Sequence, residues 1–334
     1  LFPTTGFRSN IMKKVRWGII GCGDVTEIKS GPAFYKIDDS ELVAVMRRDG
    51  DKARDYAIRH NVSKWYEQAD ALIADQNVDA VYIATPPNSH ADYATRVARA
   101  GKPVYVEKPM ACNHGECQAM VDACQSAQVP LFVAYYRRAL PAFLKVKSLV
   151  EEGAIGAVRF VSIAFCKPAN EDPKDLPWRV VPDISGGGYF FDLASHQLDF
   201  LDYLLGPIIS AAGHTHNQAG LYAAEDAVAA SFAFASGVLG NGTWVFAADR
   251  QQDQIELIGD KGRLIFSTFD FAPIELSTAF GAQTFDYPAP QHVQQPLVQT
   301  IVDALLDRGE CPSTGESAAR TSRIMDQIVH GHAY

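Results

Sequence analysis

The sequence predicts a two-domain α/β protein, in which a doubly wound parallel sheet precedes a second α/β domain with a large, open, mostly antiparallel sheet. Three observations predict this fold class. Short β-branched runs alternate with helix-length stretches from residue 15 to about residue 136, and strand-like runs separated by turns follow. The 334 residues also exceed what one hydrophobic core usually serves. We place the domains at 12–136 and 137–334, and we set residues 1–11 apart as a tag or upstream remnant.

The prediction of a parallel sheet in the first domain rests on apolar runs that are typical of strands buried on both faces of a sheet. Because each run is separated from the next by a helical pattern, the strands are expected to be parallel. The runs are VRWGIIG, ELVAVM, VDAVYIAT, PVYVE and LFVAYY.

The second domain begins with a predicted helix near residues 140–152, and its strand-like runs then favour an antiparallel sheet. These runs are RFVSIAF, AVAASFAF, GVLGNGTWVFA, QIELIGD and GRLIFSTF. Helical patterns return at PLVQTIVDALLD and ESAARTSRIMDQIV. One sheet face is expected to pack on the domain's own helices. The other would expose alternate apolar residues of AVAASFAF and NGTWVF, which predicts a homo-oligomer.

Composition restricts the classes of partner. The chain is 47% hydrophobic and 21% charged, as is usual for a globular protein. Its formal charge is −9, and no run of consecutive Lys and Arg residues is longer than two. We therefore expect neither nucleic acid nor a membrane surface as a partner. Small molecules are the expected partners.

The six cysteines form no Cys-x-x-Cys pair, and no pair of histidines has the spacing that would complete a zinc site. We therefore expect free thiols, a reducing compartment and no metal site. No stretch approaches the ~18 uninterrupted apolar residues of a membrane helix. Residues 1–11 lack the apolar core of a signal peptide, and Met12 followed by Lys13 and Lys14 is typical of a native start. The expected location is the cytoplasm.

The first strand runs into GCGDVT, where Gly21 and Gly23 would let the backbone turn tightly against a pyrophosphate. Thr26 takes the place of the third glycine of the dinucleotide-binding fingerprint. Together with Asp24 and Val25, these residues are the predicted phosphate-binding turn.

The second strand ends in MRRDG, where an NAD enzyme usually places an acid on the ribose hydroxyls. Arg47 takes that place, with Arg48 beside it, and a guanidinium there can pair with a 2′-phosphate. NADP is therefore the preferred cofactor. Asp49 keeps NAD open as the alternative.

Another predicted strand ends in ATPPNSH, which brings Thr85, Pro86, Asn88 and His90 to the same carboxyl edge as predicted cofactor contacts. Two alternatives remain. Asn88 could instead cap the next helix, and His90 could be a surface residue in that helix's first turn.

Two further motifs carry groups suited to acid/base chemistry. VYVEKPM ends an apolar strand with Glu107 and Lys108, which favours chemistry at the sheet edge over the alternative of a solvated strand end. GGGYFFDLASHQLDFLDYLL places Asp192 and His196 four residues apart on an apolar helical face, which favours a buried functional pair. Asp199 and Asp202 further along are interpreted as structural or solvent-facing.

These motifs, in this order, resemble the Gfo/Idh/MocA family of glucose-fructose oxidoreductase and inositol dehydrogenase. The resemblance covers nearly all of residues 13–330 and rests on GCGDVT, TPPNSH, the Glu107-Lys108-Pro109 tripeptide and the Asp192-x-x-x-His196 helix behind its glycines. It implies a Rossmann domain, then an α/β domain whose sheet often mediates a homodimer or homotetramer. Thr26 and Arg47 depart from the usual pattern and put the cofactor choice in doubt.

The resemblance also implies roles. Lys108 would contact the substrate hydroxyl and stabilise its developing negative charge, and Glu107 would help hold the ribose. His196 would act as acid/base, with Asp192 orienting the imidazole or binding a neighbouring hydroxyl. The remaining implied contacts are Trp178 and Arg179 of PWR, near the cofactor and cleft, and Tyr136 and Arg138 of AYYRR, on the substrate side.

The sequence thus predicts an NAD(P)-dependent oxidoreductase that moves a hydride between the nicotinamide and a secondary hydroxyl or ketone of a sugar, anhydrosugar or cyclitol. One alternative is a glycosidase that works by transient oxidation and retains its cofactor. The other is a regulator that binds the nucleotide without catalysis, which would not need Lys108, Asp192 and His196 around one oxygen.

Overall fold

In the computed structural model, which describes residues 13–169, 172 and 174–331, the first part of the chain forms a six-stranded parallel sheet. The predicted remnant at residues 1–11 lies outside the described residues. The strands in chain order are β1 (Val15–Ile20), β2 (Ser40–Met46), β3 (Lys64–Tyr66), β4 (Ala80–Ile83), β5 (Val104–Val106) and β6 (Leu131–Val133). They lie side by side in the order β3-β2-β1-β4-β5-β6, which confirms the doubly wound parallel prediction.

Helices cover both faces of this sheet, and an apolar core lies on each side. The helices are α1 (Asp24–Ile28), α2 (Ala33–Lys36), α3 (Gly50–Arg59), α4 (Ala69–Ala74), α5 (His90–Arg99) and α6 (His114–Ser126). The next helix, α7 (Pro141–Glu151), packs instead in the core of the second sheet. Every residue of β4, β5 and β6 is buried, as the continuous apolar runs predict.

The second sheet has eight strands and is antiparallel except where its first strand pairs with a parallel neighbour. Its strands are β7 (Val158–Cys166), β8 (Ile208–His216), β9 (Ala227–Phe234), β10 (Leu239–Val245), β11 (Gln252–Gly259), β12 (Gly262–Phe266), β13 (Ile274–Thr278) and β14 (Gly281–Phe285). Their order is β14-β13-β12-β11-β7-β10-β9-β8, so the mostly antiparallel prediction is confirmed.

The exposed face of this sheet differs from the prediction. The large apolar residues of β9 and β10, such as Phe232 and Trp244, point into the core. The opposite positions, such as Ala229, Ser231 and Thr243, carry small side chains. Strand alternation assigns each residue to one of two faces, but it does not say which face the helices cover.

The described residues form four further helices: α8 (Pro182–Ser185), α9 (Ser195–Leu205), α10 (Gln295–Leu305) and α11 (Gly315–His330). A π-helical segment at Phe190–Ala194 leads directly into α9. Short 3₁₀ segments lie at Pro87–Ser89, Tyr136–Ala139 and Trp178–Val180.

The C-terminal helices return to the first sheet. Leu297 and Ile301 of α10 belong to the same core as Trp17 and Phe34, and Ala318 of α11 packs in the core on the other face. The two sheets therefore share a packed junction. The domain boundary at residues 136/137 stays a prediction.

All six cysteines are free thiols. Within the described part of the chain, no helix has the length and apolar character that crossing a membrane requires.

Candidate active site

The carboxyl ends of β1, β2, β4 and β5 meet at one edge of the parallel sheet, because these strands lie next to one another. The strands β2 and β3 lie on one side of β1, and β4, β5 and β6 lie on the other. Doubly wound sheets bind their ligands at this change of side, between β1 and β4. The predicted motifs after these strands are therefore neighbours in space.

The turn after β1 needs glycine at its first position. Gly21 has a φ of 91°, and a Cβ there would lie 2.7 Å from Thr85 Cγ2 and 3.0 Å from the Ala84 carbonyl carbon. A Cβ on Gly23 would meet only the Gly21 carbonyl oxygen, 3.9 Å away, so the surface above Gly23 is open. This open backbone turn fits a dinucleotide pyrophosphate.

Thr26 stabilises this turn from its buried side. Its side chain is fully buried, its hydroxyl donates to Gly23 O at 2.7 Å, and its carbonyl accepts from Tyr56 Oη at 2.9 Å. The prediction that Thr26 contacts the cofactor directly is not supported, since the side chain has no exposed surface. Asp24 is exposed and Val25 is partly buried, at the start of α1.

Arg47 lies against the same turn, because its Nη1 donates to the Cys22 carbonyl at 3.2 Å. Arg48 is exposed. Asp49, the alternative ribose ligand, caps α3 by accepting from Lys52 N at 3.2 Å, and its carboxylate pairs with the Lys52 ammonium at 3.1 Å. A guanidinium rather than a free carboxylate therefore borders the turn.

The loop after β4 connects the two domains. Thr85 and Pro86 are partly exposed, and Asn88 is exposed, with its Nδ2 donating to the Asp183 carbonyl of α8 at 3.3 Å. The alternative that Asn88 caps α5 is wrong, because the N-cap position belongs to Ser89.

His90 connects two loops inside the protein. It is fully buried, Nε2 lies 2.7 Å from Thr85 O, and Nδ1 lies 3.1 Å from Pro109 O. Burial lowers the pKa of this imidazole. Both the predicted cofactor contact and the surface alternative are therefore unsupported, since His90 joins the loop after β4 to the loop after β5.

Glu107 has its carboxylate occupied by protein groups. Oε1 accepts from Tyr82 Oη and from Gln294 Nε2, the latter at 2.5 Å, and Oε2 accepts from Lys108 N at 3.2 Å. Tyr105 Oη in turn donates to Gln294 Oε1 at 2.7 Å. The implied ribose contact of Glu107 is therefore not seen. Instead, a buried network holds the backbone from which Lys108 projects.

Lys108 and Asp192 meet across the domain junction. Nζ of Lys108 lies 2.5 Å from Oδ1 of Asp192 and 3.0 Å from its carbonyl oxygen. Arg179 approaches the other carboxylate oxygen, with its Nε 3.4 Å from Oδ2. Burial alone would raise the pKa of Asp192, but the Lys108 ammonium and the Arg179 guanidinium outweigh it and lower that pKa.

A glycine-rich turn precedes Asp192. Gly186 has a φ of 82°, and a Cβ there would lie 2.4 Å from the carbonyl oxygen of Cys112. The following residues enter the π-helical segment, whose wider turn changes the register in which side chains four apart align. Asp192 is accordingly paired with Lys108 and Arg179, and the implied Asp192–His196 contact is not formed.

His196 is buried, with 3% of its surface exposed, and its Nδ1 has no hydrogen-bond partner among the described residues. The Tyr136 ring lies 5.2 Å from the imidazole between centroids, and the Phe269 ring lies 5.9 Å from it. Burial lowers the pKa of His196 well below its usual value, and the positive charges of Arg137, Lys108 and Lys29 lower it further. The imidazole is neutral near pH 7.

The two substrate-side predictions from AYYRR have different outcomes. Tyr136 is partly exposed beside His196, and its substrate-side role stays a prediction. Arg138 is 3% exposed and binds Asp199 through two contacts of 2.8 and 2.7 Å, so the structure places it in a buried ion pair and does not support the substrate-side role. Asp199 and Asp202 are buried and structural, and neither faces solvent.

Trp178 and Arg179 occupy the short 3₁₀ segment that faces Asp192. The guanidinium carbon of Arg179 lies 4.6 Å from the centroid of the Trp178 ring. The Arg179 side chain is 46% exposed, so it is open to solvent next to Asp192.

Sequence reasoning missed Lys29, Arg137 and Gln294. Lys29 and Arg137 act electrostatically on His196, and Gln294 holds Glu107. Arg137 follows Tyr136 directly, but its neighbour Arg138 looks equivalent in the sequence. Lys29 and Gln294 belong to no predicted motif.

The arrangement can perform acid/base chemistry on a hydroxyl. A neutral imidazole can accept the hydroxyl proton, and the Lys108 ammonium can stabilise the oxygen that loses it. The turn of Gly21 and Gly23, with Arg47 beside it, can hold the dinucleotide.

Comparison with known proteins identifies both halves of the chain. A family model described as an oxidoreductase family with an NAD-binding Rossmann fold matches residues 15–135. A second model, the GFO/IDH/MocA C-terminal domain, matches residues 143–265.

Individual relatives agree with these matches. The chain is 41% identical over 318 residues to an oxidoreductase of Formosa agariphila, covering 94% of this chain and 98% of the relative. It is 31% identical over 259 residues to myo-inositol 2-dehydrogenase of Thermotoga maritima, covering 75% and 74% of the two chains. Among solved structures, the aldose-aldose oxidoreductase of Caulobacter crescentus complexed with glycerol superposes with a TM-score of 0.82 at 25% identity, covering 94% and 96%.

Proposed function

The chain belongs to the GFO/IDH/MocA oxidoreductase family, and from that premise we propose that it moves a hydride between NADP and a secondary hydroxyl or ketone of a sugar, anhydrosugar or cyclitol. The proposal rests above all on the 2.5 Å contact between Lys108 Nζ and Asp192 Oδ1. It joins two motifs 84 residues apart, and the Lys108 charge contributes to the lowered pKa of His196. The similarity to a myo-inositol dehydrogenase and an aldose oxidoreductase supports the polyol class.

The cofactor and three side chains have separate roles in this reaction. A bound nicotinamide supplies the carbon that accepts or donates the hydride. His196 takes the proton from the reacting hydroxyl, and Lys108 stabilises the oxygen as negative charge develops on it. Asp192 holds the Lys108 ammonium in position.

NADP is the preferred cofactor in this proposal. The support is that Arg47 contacts the turn at Cys22 O, whereas the Asp49 carboxylate is occupied at the start of α3. A 2′-phosphate beside Arg47 would gain a charge-assisted hydrogen bond that NAD lacks. NAD remains the alternative cofactor.

We propose a homodimer or homotetramer formed through the exposed face of the second sheet. Leu239, Phe160 and Ile258 lie opposite one another on β10, β7 and β11, and Leu239 and Ile258 are 55% and 40% exposed. A row of apolar side chains on an exposed sheet face is a suitable interface. We also propose a cytoplasmic location, which the six free thiols support.

The test is a panel of monosaccharides, anhydrosugars and inositols, each incubated with NADP⁺ or NAD⁺ while the absorbance of the reduced nicotinamide is followed. Reduction with at least one compound, slowed roughly a hundredfold or more by Lys108→Ala, is the expected result. If no compound reduces either cofactor while both cofactors bind, the nucleotide-binding regulator becomes the better interpretation. Release of a sugar from a glycoside without net cofactor reduction would favour the glycosidase.

A further inference from the structure

Aromatic rings, rather than a hydrogen bond, surround the imidazole of His196. Its Nδ1 is buried and has no hydrogen-bond partner among the described residues. The centroid of the imidazole lies 5.2 Å from that of Tyr136, 5.9 Å from that of Tyr135 and 5.9 Å from that of Phe269, and all three rings meet it edge to face. A catalytic histidine is commonly oriented by a hydrogen bond to its second nitrogen. Here the packing of the three rings supplies the orientation.

Phe269 reaches the imidazole from a different part of the chain than the two tyrosines. Tyr135 and Tyr136 follow β6 of the first sheet, whereas Phe269 lies on the connection between β12 and β13 of the second sheet. Its ring is partly exposed, and its centroid lies 5.4 Å from that of Phe165 in β7. Of the three rings, Phe269 is therefore the one whose position depends on how this connection is held.

A buried carboxylate holds the backbone of the connection. Oδ2 of Asp253 in β11 accepts from Thr268 N at 2.8 Å, from Asp270 N at 3.2 Å and from Phe269 N. Hydrogen bonds from backbone N–H groups to a carboxylate are charge-assisted and therefore strong. Three of them on one oxygen fix the backbone on both sides of Phe269.

Arg137 holds the same connection from the other domain. Its side chain is buried, and its Nε donates to the Thr268 carbonyl at 2.9 Å. The guanidinium carbon lies 4.5 Å from the centroid of the Phe269 ring and 4.9 Å from that of Tyr136. A cation at these distances is attracted to both ring faces. Arg137 thus links the two partly exposed rings that contact His196.

We propose that Phe269 is a positioning residue for His196: its ring, held in place by Asp253 and Arg137, keeps the imidazole in the orientation that accepts the proton of the reacting hydroxyl. This inference rests on the proposed function and adds a residue to its mechanism. Phe269 has no group that exchanges a proton, so its contribution is geometric. A small misplacement of a catalytic group can slow a reaction by roughly a hundredfold.

The first measurement is single-turnover hydride transfer to bound NADP⁺, with a compound that the substrate panel identifies. Phe269→Leu removes the ring but keeps an apolar side chain, and it should slow this step by roughly tenfold or more while the NADPH dissociation constant stays unchanged. Phe269→Tyr, which restores the ring, should retain most of the rate. Phe271→Leu is the matched control, because Phe271 lies on the same connection but faces a hollow beside Phe143 and Ile274.

The second measurement repeats the substitution in the His196→Ala protein. Phe269→Leu should have no further effect there, because no imidazole remains for the ring to orient. A residue that bound the substrate or merely stabilised the fold would slow both proteins equally. Asp253→Asn weakens the hold on the connection without touching the ring. It should slow the unmodified protein and likewise leave His196→Ala unchanged.

Nuclear magnetic resonance of protein labelled at the histidine nitrogens follows the imidazole without any substrate. The signals of His196, identified by their absence in His196→Ala, should be single and narrow in the unmodified protein and in Phe269→Tyr. They should be split or broadened in Phe269→Leu, because the released imidazole exchanges between orientations.

The proposal is overturned if Phe269→Leu changes neither the rate nor the His196 signals, or if it slows His196→Ala as much as it slows the unmodified protein. The spectra distinguish this failure from failure of the proposed function. An unmodified protein that oxidises no compound, but whose His196 signals split in Phe269→Leu, would support the positioning of the imidazole and contradict the proposed reaction.

Discussion

Lys108 and Asp192 form an ion pair with 2.5 Å between Nζ and Oδ1, at the junction of the parallel sheet and the second domain. The pair leaves His196 without the carboxylate partner that a four-residue spacing suggests. The acid/base group His196 and the cation Lys108 are thus held by separate sets of contacts. Substitutions can therefore separate their roles.

Replacing either group should impair catalysis without impairing cofactor binding. We expect His196→Ala and Lys108→Ala each to lower kcat by roughly a hundredfold or more, as is usual for general-base and oxyanion-stabilising groups. Asp192→Asn should have a smaller effect, because the amide still accepts a hydrogen bond from Lys108. Single-turnover hydride transfer and the NADPH dissociation constant are the measurements. A large loss of NADPH affinity in His196→Ala would contradict this assignment.

The pH dependence of the oxidation rate should reflect the lowered pKa of His196. The imidazole must be neutral to accept a proton, so activity is lost as pH falls through its pKa in the folded protein. Since burial and nearby cations place that pKa well below 6.5, the rate should stay constant over roughly pH 6.5 to 8. The measurement is the single-turnover rate across this range. A fall in rate already at pH 6.5, absent in His196→Ala, would show that the imidazole titrates normally.

Arg47 should determine the choice between NADP and NAD. Loss of one charge-assisted hydrogen bond to the 2′-phosphate, about 1.5–3 kcal/mol, should reduce the preference for NADP by roughly tenfold to a hundredfold in Arg47→Ala. Arg48→Ala is the matched comparison, since Arg48 is exposed and Arg47 alone of the two contacts the turn. Calorimetric dissociation constants for both cofactors decide the matter. Tighter binding of NAD by the unmodified protein would assign the ribose to Asp49.

Arg138 should contribute to stability rather than to substrate binding. Its ion pair with Asp199 is 3% and 1% exposed, so Arg138→Ala leaves a buried carboxylate without its cation and should cost roughly 3–5 kcal/mol. Arg308→Ala breaks an exposed pair with Asp39 and should cost no more than about 1 kcal/mol. Denaturant unfolding of both variants is the comparison. An Arg138→Ala protein of normal stability but with a raised KM would restore the substrate role.

The oligomer should depend on the apolar row of the second sheet. Leu239→Glu places a charge beside Phe160 and Ile258 and should dissociate the assembly, because burying an unpaired carboxylate in an interface is costly. Light scattering at micromolar concentration measures the mass. Phe280→Glu serves as the control, because Phe280 is fully exposed in the β13–β14 turn. A monomeric unmodified protein would rule out the proposed interface.

Much of the site was predictable because parallel strands end at one edge. Gly21, Arg47, Thr85 and Lys108 all follow apolar runs, and the order of such strands is nearly determined by short right-handed connections. A local pattern was therefore enough to place residues far apart in sequence beside one another. The same reasoning could not say which of these side chains face the cleft.

Burial reversed several of the residue assignments. Glu107 and Arg138 are polar and close to the motifs, but each is buried and bound by groups from distant parts of the chain. Gln294, which holds Glu107, lies 187 residues away from it in sequence. A sequence pattern carries no record of such a partner, since any amide at any distance could supply the hydrogen bond.

The sequence by itself determined the alternation of strands and helices, the glycine turn after β1 and the presence of Lys108, Asp192 and His196, because these depend on local periodicity and residue type. Tertiary structure alone decided how those residues pair. The π-helical segment changed the register between Asp192 and His196, and the junction of the two domains brought Lys108 and Arg179 to one carboxylate. Ion pairing and desolvation depend on distances across the fold, so they are decided only when the two sheets pack together.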